Sequence, residues 1–295
     1  MRCLSNEKFV TKMSSKNIPA IYIEEKEHLL VRTSECFQGC LRREDDVLSL
    51  LEKESINPCS GPIYVRGAEQ GDILKDQIHE ITIDDHGIVL MDKIDFQKYG
   101  IEEKEKSLHL RVDERGIEIA DDLWIPAEPM IGVIGTAPLE EDVFTTLPGP
   151  HGGNMDSKCI KKGSIVYLPV FHPGGLLALG DIHAAMADGE AGGSGVEISG
   201  SIEISVEIIK NSDIPIPFVE VDDKIITIAS AETLEKAANE SVRMMLHYLI
   251  VQKKMSDDLA WKLVAMLADV CVCQFANELK TIRCELSQKY VENFF

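Results

Sequence analysis

Acidic and histidine side chains cluster in one short stretch of the chain. Asp181-Ile182-His183 ends a predicted strand, and Asp188-Gly189-Glu190 follows it on a glycine-rich turn. Residues i and i+2 of a strand project to one face, so the carboxylate of Asp181 and the imidazole of His183 converge. An oxygen donor and a nitrogen donor on one rigid element suit a metal ion. The alternative is that these two side chains form a hydrogen bond with a purely structural role at the end of the strand.

A second candidate segment spans residues 148–156 and contains Gly152, Gly153, Asn154 and Asp156. The glycines expose backbone N–H groups that can hold a carbonyl oxygen, and Asn154 and Asp156 can hydrogen-bond an amide. A rigid turn closed by an Asx motif is the structural alternative. The segment is not a P-loop, because no Gly-Lys-Ser/Thr follows it.

Nucleophilic catalysis has weaker support in the sequence. The chain contains no Gly-x-Ser-x-Gly elbow. Cys36 lies beside Glu35 and stays open as a nucleophile, although no base can be assigned to it. The eight cysteines include no C-x-x-C pair, and we expect reduced, mostly buried thiols.

The elements around these segments are mainly strands. Apolar residues occupy the even positions from Val196 to Ile208, with polar residues between them, which predicts a strand with one buried and one solvated face. Two helical patterns follow, one from about Ser230 and one that Ser256 caps. We therefore predict a mostly β fold, sandwich-like or barrel-like, with a C-terminal α/β part that carries a helix pair. The predicted divisions are a mobile tail over 1–17, a β-rich domain over 18–136, and a catalytic β region with C-terminal helices over 137–295.

Composition excludes several classes of protein. The 295 residues include 50 Asp and Glu against 30 Lys and Arg, which gives a net charge of −20. Such a polyanion repels nucleic acid and anionic membranes, so neither is an expected partner. The apolar fraction of 44% is enough for a packed core. The absence of a membrane-length apolar run and of a secretory leader predicts a cytoplasmic protein.

The sequence resembles the acetamidase/formamidase family from about residue 20 to 290. Residues 67–72 match the family's Gly-Ala-Glu-Pro-Gly-Asp turn, with Gln70 in place of the proline. The other matching segments are 129–135, 148–156, 167–171, 179–190, 273–275 and 280–283.

This resemblance implies a metal-dependent hydrolase that converts small aliphatic amides, such as formamide or acetamide, to ammonia and a carboxylate. Its implied ligands are Asp181 and His183, with Glu35 standing where many relatives have Asp. Glu190 is the expected catalytic base and acid. Zinc is the favoured ion because of the imidazole, and calcium or magnesium would suit an oxygen-only subsite.

The matching of residues 152–156 further implies that Gly153, Asn154 and Asp156 bind the substrate. Family members also suggest a homodimer or a higher homo-oligomer. Two alternatives stay open: a non-catalytic β-sandwich binding protein that keeps the scaffold, and an amidase for other linear or cyclic amides.

Overall fold

The strands of the protein were located in a computed structural model that describes residues 1–48, 51, 55–92 and 97–292. They are β1 (Arg2–Leu4), β2 (Phe9–Val10), β3 (Lys12–Met13), β4 (Ile21–Ile23), β5 (His28–Thr33), β6 (Cys59–Val65), β7 (Ile73–Met91), β8 (Lys106–Asp113), β9 (Gly116–Ala120), β10 (Leu123–Ile125), β11 (Met130–Gly135), β12 (Val143–Phe144), β13 (Pro148–Gly149), β14 (Gly152–Asn154), β15 (Ile165–Pro169), β16 (Leu177–His183), β17 (Glu197–Ile209), β18 (Phe218–Val221), β19 (Lys224–Ala231), β20 (Asp269–Gln274) and β21 (Lys280–Ser287).

The helices bounded within the described residues are α1 (Leu234–His247), α2 (Asp257–Leu267) and α3 (Lys289–Glu292), with a π-helical turn over Tyr248–Gln252. The hydroxyl groups of Thr233 and Ser256 cap α1 and α2 by accepting backbone N–H groups. The predicted helix pair is therefore confirmed, and so is the mostly β fold. Within the described residues, no helix has the length and apolar character needed to cross a membrane.

One curled sheet joins nineteen of the described strands. Its centre is the antiparallel pair β7 and β17, which runs from Ile88 opposite Glu197 to Ile73 opposite Ile209. The period-two pattern of β17 has its predicted effect, because Ile198, Ile202 and Ile204 are fully buried in the main core. The second core lies between the C-terminal helices and the sheet, where Met245 and Leu249 pack with Phe218 and Leu286.

Two predicted divisions differ from the structure. Residues 1–17 are not a free tail, because β1 pairs with β5, β2 pairs with β6, and β3 pairs with β12. Leu4 and Met13 are buried there, and the burial of these apolar side chains favours a segment packed on the sheet over a tail exposed to solvent. Strands on either side of residue 136 also pair with one another, as β11 does with β16 and β7 with β17.

Candidate active site

Strand β16 delivers the two residues that the sequence singled out. The Nε2 atom of His183 lies 3.7 Å from Oδ1 of Asp181, and both side chains are almost completely buried. Asp181 has φ = +58°, and Nδ2 of Asn57 donates to its Oδ2 at 3.1 Å. The predicted convergence of a carboxylate and an imidazole on one strand is present, and Asn57 orients the carboxylate.

Glu197 is a site residue that sequence reasoning missed. The alternating pattern of β17 placed it on the solvated face, whereas only 2% of it is exposed. It stands directly opposite His183 in the β16–β17 pair, and its Oε1 lies 3.2 Å from the imidazole Nε2. The pattern within β17 carries no signal for this contact, because the contact depends on which strand pairs with β17.

Five acidic or thiol side chains surround His183 in two groups of three residues. In one group the candidate ligand atoms of Asp156, His183 and Glu190 lie within 4.8 Å of one another. In the other group those of Cys36, Asp181 and Glu197 do so. All six residues are buried, so the groups form one continuous polar centre inside the sheet.

Gly132 on β11 gives two of these carboxylates their room. A Cβ atom at this position would lie 2.6 Å from Oδ1 of Asp156 and 2.6 Å from Oδ2 of Asp181. Real Cβ atoms do not approach oxygen that closely, so any side chain here would displace a carboxylate. The glycine therefore brings residues from β16 and from the segment after β14 to one point.

Burial and mutual repulsion shift the pKa values of these carboxyl groups. Burial raises the pKa of Glu190 to about 7 and that of Glu197 to about 8, although the nearby His183 lowers both. Burial, with the charges of Glu190 and Asp181, raises the pKa of Asp156 well above its usual range. For His183, burial lowers the pKa, but Glu197 and Asp181 outweigh it and raise the pKa.

Several atoms of the centre have no hydrogen-bond partner among the described residues. They are Oδ1 of Asp156, Oδ1 of Asp181, Nδ1 of His183 and Oε2 of Glu197, and Oδ1 of Asn154, two residues before Asp156, also has none. A buried polar atom without a partner is costly, and natural proteins keep such atoms mainly where a ligand, ion or water satisfies them. Imidazole nitrogen and carboxylate oxygen are common ligands of divalent cations, and here both types of atom lie close together.

Glu35 occupies a different place from the one expected for a metal ligand. Its Oε2 accepts the backbone N–H of Phe37 at 2.5 Å, and its Oε1 accepts that of Gly39. Neither group of candidate ligands includes it, whereas the next residue, Cys36, belongs to one of them. Glu35 thus shapes the loop that presents the Cys36 thiol.

The glycine-rich segment is more enclosed than expected. Gly153 is buried and pairs with Ile134 on one side and with Pro148 on the other, so its N–H is not exposed. Asn154 uses Nδ2 to donate to the carbonyl of Thr146 at 3.3 Å, which leaves its Oδ1 without a partner. Asp156, with φ = +45°, turns into the centre and accepts Nδ2 of Asn277 at 3.4 Å.

Asp188, the neighbour of Glu190 in the sequence, points away from the centre. Its two oxygens accept Nη1 and Nη2 of Arg283 at 2.7 and 2.8 Å, and Lys158 lies 3.0 Å from it. These partners outweigh its partial burial and hold the pKa of Asp188 below its usual value. Of the two acidic residues of this turn, Asp188 is therefore anchored to Arg283, and Glu190 faces the centre.

Known proteins share the sequence of this region and the whole fold. A profile of the acetamidase/formamidase family matches residues 139–226. The formamidase of Methylophilus methylotrophus is 43% identical over 72 residues, 24% of this chain and 18% of the relative. The acetamidase of Mycolicibacterium smegmatis is 40% identical over 67 residues, 22% of this chain and 16% of the relative. These alignments thus span less than a fifth of each curated relative.

Similarity over the full length comes from a solved structure. The crystal structure of an acetamidase from Bacillus halodurans covers 99% of this chain, and this chain covers 99% of it. The two are 36% identical, with a TM-score of 0.95. The predicted family is therefore confirmed, and the chain belongs to the acetamidase/formamidase family.

Proposed function

We propose that this protein is a metal-assisted hydrolase of small aliphatic amides, of the formamide or acetamide type, that produces ammonia and a carboxylate. The observation that carries the proposal is the buried centre around His183, where four carboxyl groups converge and three of them keep an oxygen without a partner. The similarity to a formamidase and to acetamidases supports the substrate class.

A divalent cation fits the charge and the donors of this centre. Buried carboxylates repel one another unless a cation or protons neutralise them. Asp181 and His183 would hold the ion as the sequence predicts, with Glu197 in the role expected of Glu35 and with Cys36 in reach. Imidazole and thiolate donors favour zinc, while calcium or magnesium would prefer the carboxylates alone.

Two residues of the chain carry out the other steps: Glu190 transfers protons, and Asn154 binds the amide. When bound, the cation would polarise the amide carbonyl and increase the acidity of water. Glu190 has a pKa of about 7, so near neutral pH it can accept a proton from the attacking water and return it to the leaving nitrogen. The unpartnered Oδ1 of Asn154 accepts an N–H of the substrate amide.

Release of ammonia from formamide and acetamide tests this proposal. The zinc-loaded protein is expected to release one ammonia per carboxylate formed, and Asp181→Asn is expected to abolish turnover. Purified protein that hydrolyses neither amide, although zinc is bound, would contradict the proposed function.

We also propose that the protein assembles as a homo-oligomer, most simply a dimer. The outer side of α2 supports this, because Trp261 and Met266 are 59% and 69% exposed there. Burial of apolar side chains of this size against a second subunit favours association. Light scattering is expected to give at least twice the mass of 32.7 kDa. A mass of one chain at all concentrations would contradict it.

A further inference from the structure

Arg283 connects the C-terminal hairpin β20–β21 to the turn that carries Glu190. Its Nη1 and Nη2 donate to the two oxygens of Asp188 at 2.7 and 2.8 Å, and its side chain is only 3% exposed. A fork of two parallel charged hydrogen bonds fixes both distance and orientation. A lysine at this position could not reproduce that geometry.

The other side of the guanidinium group is also fixed. Its Nε donates to Oε1 of Glu285 at 2.5 Å, and Oε2 of Glu285 accepts Nζ of Lys224 at 2.5 Å. Arg283 lies in the middle of β21, opposite Cys271 of β20 and Ile228 of β19. The arginine therefore acts from a strand that is paired on both sides.

The backbone of the same turn is attached to β20 one residue before Glu190. The N–H of Gly189 donates to the carbonyl of Cys273 at 2.9 Å, and its own carbonyl accepts the N–H of Phe275 at 3.1 Å. Gly189 and Glu190 have φ values of +99° and +45°. Glu190 thus leaves this anchor in a left-handed conformation, and its carboxyl group reaches Asp156 and His183.

We propose that Arg283 is the positioning residue for Glu190: it holds Asp188 so that the turn presents the Glu190 carboxyl group to the centre around His183. The side-chain hydrogen bonds of Arg283 go to Asp188, Glu285, Cys273 and the carbonyl of Val272, none of which belongs to the two groups of candidate ligands. The inference rests on the proposed function of Glu190 as the proton acceptor. Arg283, the last residue of the Lys-Thr-Ile-Arg segment at 280–283, would thus affect catalysis without contacting the substrate.

Chemical rescue tests this role. Arg283 lines a cavity of about 600 Å³ that also reaches Lys158, Cys159 and Cys271, so guanidinium ion can enter once the side chain is removed. In Arg283→Ala, kcat for acetamide is expected to fall about 10- to 100-fold, the range found when an outer partner of a site residue is lost. KM and metal content are expected to change little. Millimolar guanidinium chloride should restore much of kcat, whereas sodium chloride should not.

Two further variants separate positioning from folding. Asp188→Ala removes the other half of the fork at a side chain that is 32% exposed, so it should fold and lose kcat to a similar degree without rescue. Lys224→Met is the matched control, because it removes an ion pair of Glu285 and leaves the Arg283–Asp188 contact in place. Its kcat is expected to stay near that of the wild type.

Crystal structures of Arg283→Ala, with and without guanidinium, give a readout independent of activity. The Glu190 carboxyl group is expected to leave the centre in the variant and to return with guanidinium. A Glu190 that keeps its place in the variant, or a kcat that stays unchanged while only thermal stability falls, would overturn the inference. If the wild type hydrolyses no amide, the proposed function fails, and the position of Glu190 in these crystals still decides the role of Arg283.

Discussion

His183 and Glu197 face each other across the pair formed by β16 and β17, with Nε2 of the imidazole 3.2 Å from Oε1 of the carboxyl group. The contact joins the last residue of one strand to the first residue of the next. Glu190 lies midway along the loop between these two strands. One strand pair therefore positions the imidazole, a carboxylate beside it and the candidate base.

Glu197→Gln is expected to weaken zinc binding at least tenfold. The substitution keeps the size of the side chain but removes the negative charge beside the imidazole, and even the loss of an outer partner costs metal sites about 10- to 100-fold in affinity. Competition with a chromophoric chelator measures the affinity. Glu35→Gln is the matched control, since Glu35 binds backbone N–H groups instead, and its zinc affinity should change far less. Equal losses in the two variants would return Glu35 to the ligand set.

Gly132→Ala is expected to lower both metal content and turnover. The added methyl group would lie 2.6 Å from an oxygen of Asp156 and from one of Asp181, so at least one carboxylate must move. Gly192→Ala is a control on the neighbouring loop, because no atom lies within 4 Å of its added Cβ. Elemental analysis and ammonia release on both proteins make the comparison. Full metal content and activity in Gly132→Ala would show that the carboxylates do not need this close approach.

Glu190→Gln is expected to reduce turnover by about 10²- to 10⁴-fold, which is the usual contribution of a general acid or base. Folding and metal content should stay unchanged, because glutamine keeps the size and polarity of the side chain. A joint loss of metal and activity would make Glu190 a ligand rather than the base. Turnover near the wild-type rate would remove it from the mechanism.

The sequence predicted those parts of the site that depend on local periodicity. Asp181 and His183 share a strand face because the side-chain period of a strand is two, and that rule needs no knowledge of the neighbouring strand. Glu197 escaped prediction because its burial depends on the pairing of β17 with β16. The position of the Cys36 thiol beside Asp181 and Glu197 was also hidden, since loop geometry decides which of two adjacent side chains turns inward.

The same limit applied to the fold. The alternation in β17 and the cap at Ser256 predicted a long strand and a helix, because both signals lie within a few residues. The pairing of residues 2–13 with β5, β6 and β12 could not be predicted, since strands of only two or three residues carry little pattern of their own. These strands form because they pair with segments that are distant in the sequence.

A buried aspartate outside the site makes the stability of the fold depend on pH. Asp76 on β7 lies opposite Val166 and Val206, is 0% exposed, and has no hydrogen-bond partner at either oxygen among the described residues. Burial raises its pKa from 3.8 to about 8. Between these values the folded chain keeps a proton that the unfolded chain releases, so the free energy of unfolding falls as the pH rises.

Asp76→Asn is expected to remove this dependence. The wild type should lose up to about 1.4 kcal/mol more per pH unit than the variant between pH 4 and pH 8. Urea unfolding at pH 5, 6, 7 and 8 measures the two slopes. The other carboxyl groups with raised pKa values are common to both proteins and cancel in the difference. Parallel slopes would show that Asp76 does not keep its proton in the folded state.

Removal and return of the metal test the central claim most directly. The protein is dialysed against a chelator, analysed for bound metal, and assayed for ammonia release from formamide and acetamide before and after stoichiometric zinc is added. We predict that turnover falls with metal content and returns with zinc, whereas Asp181→Asn recovers neither. Undiminished turnover in protein that contains no metal would contradict the account.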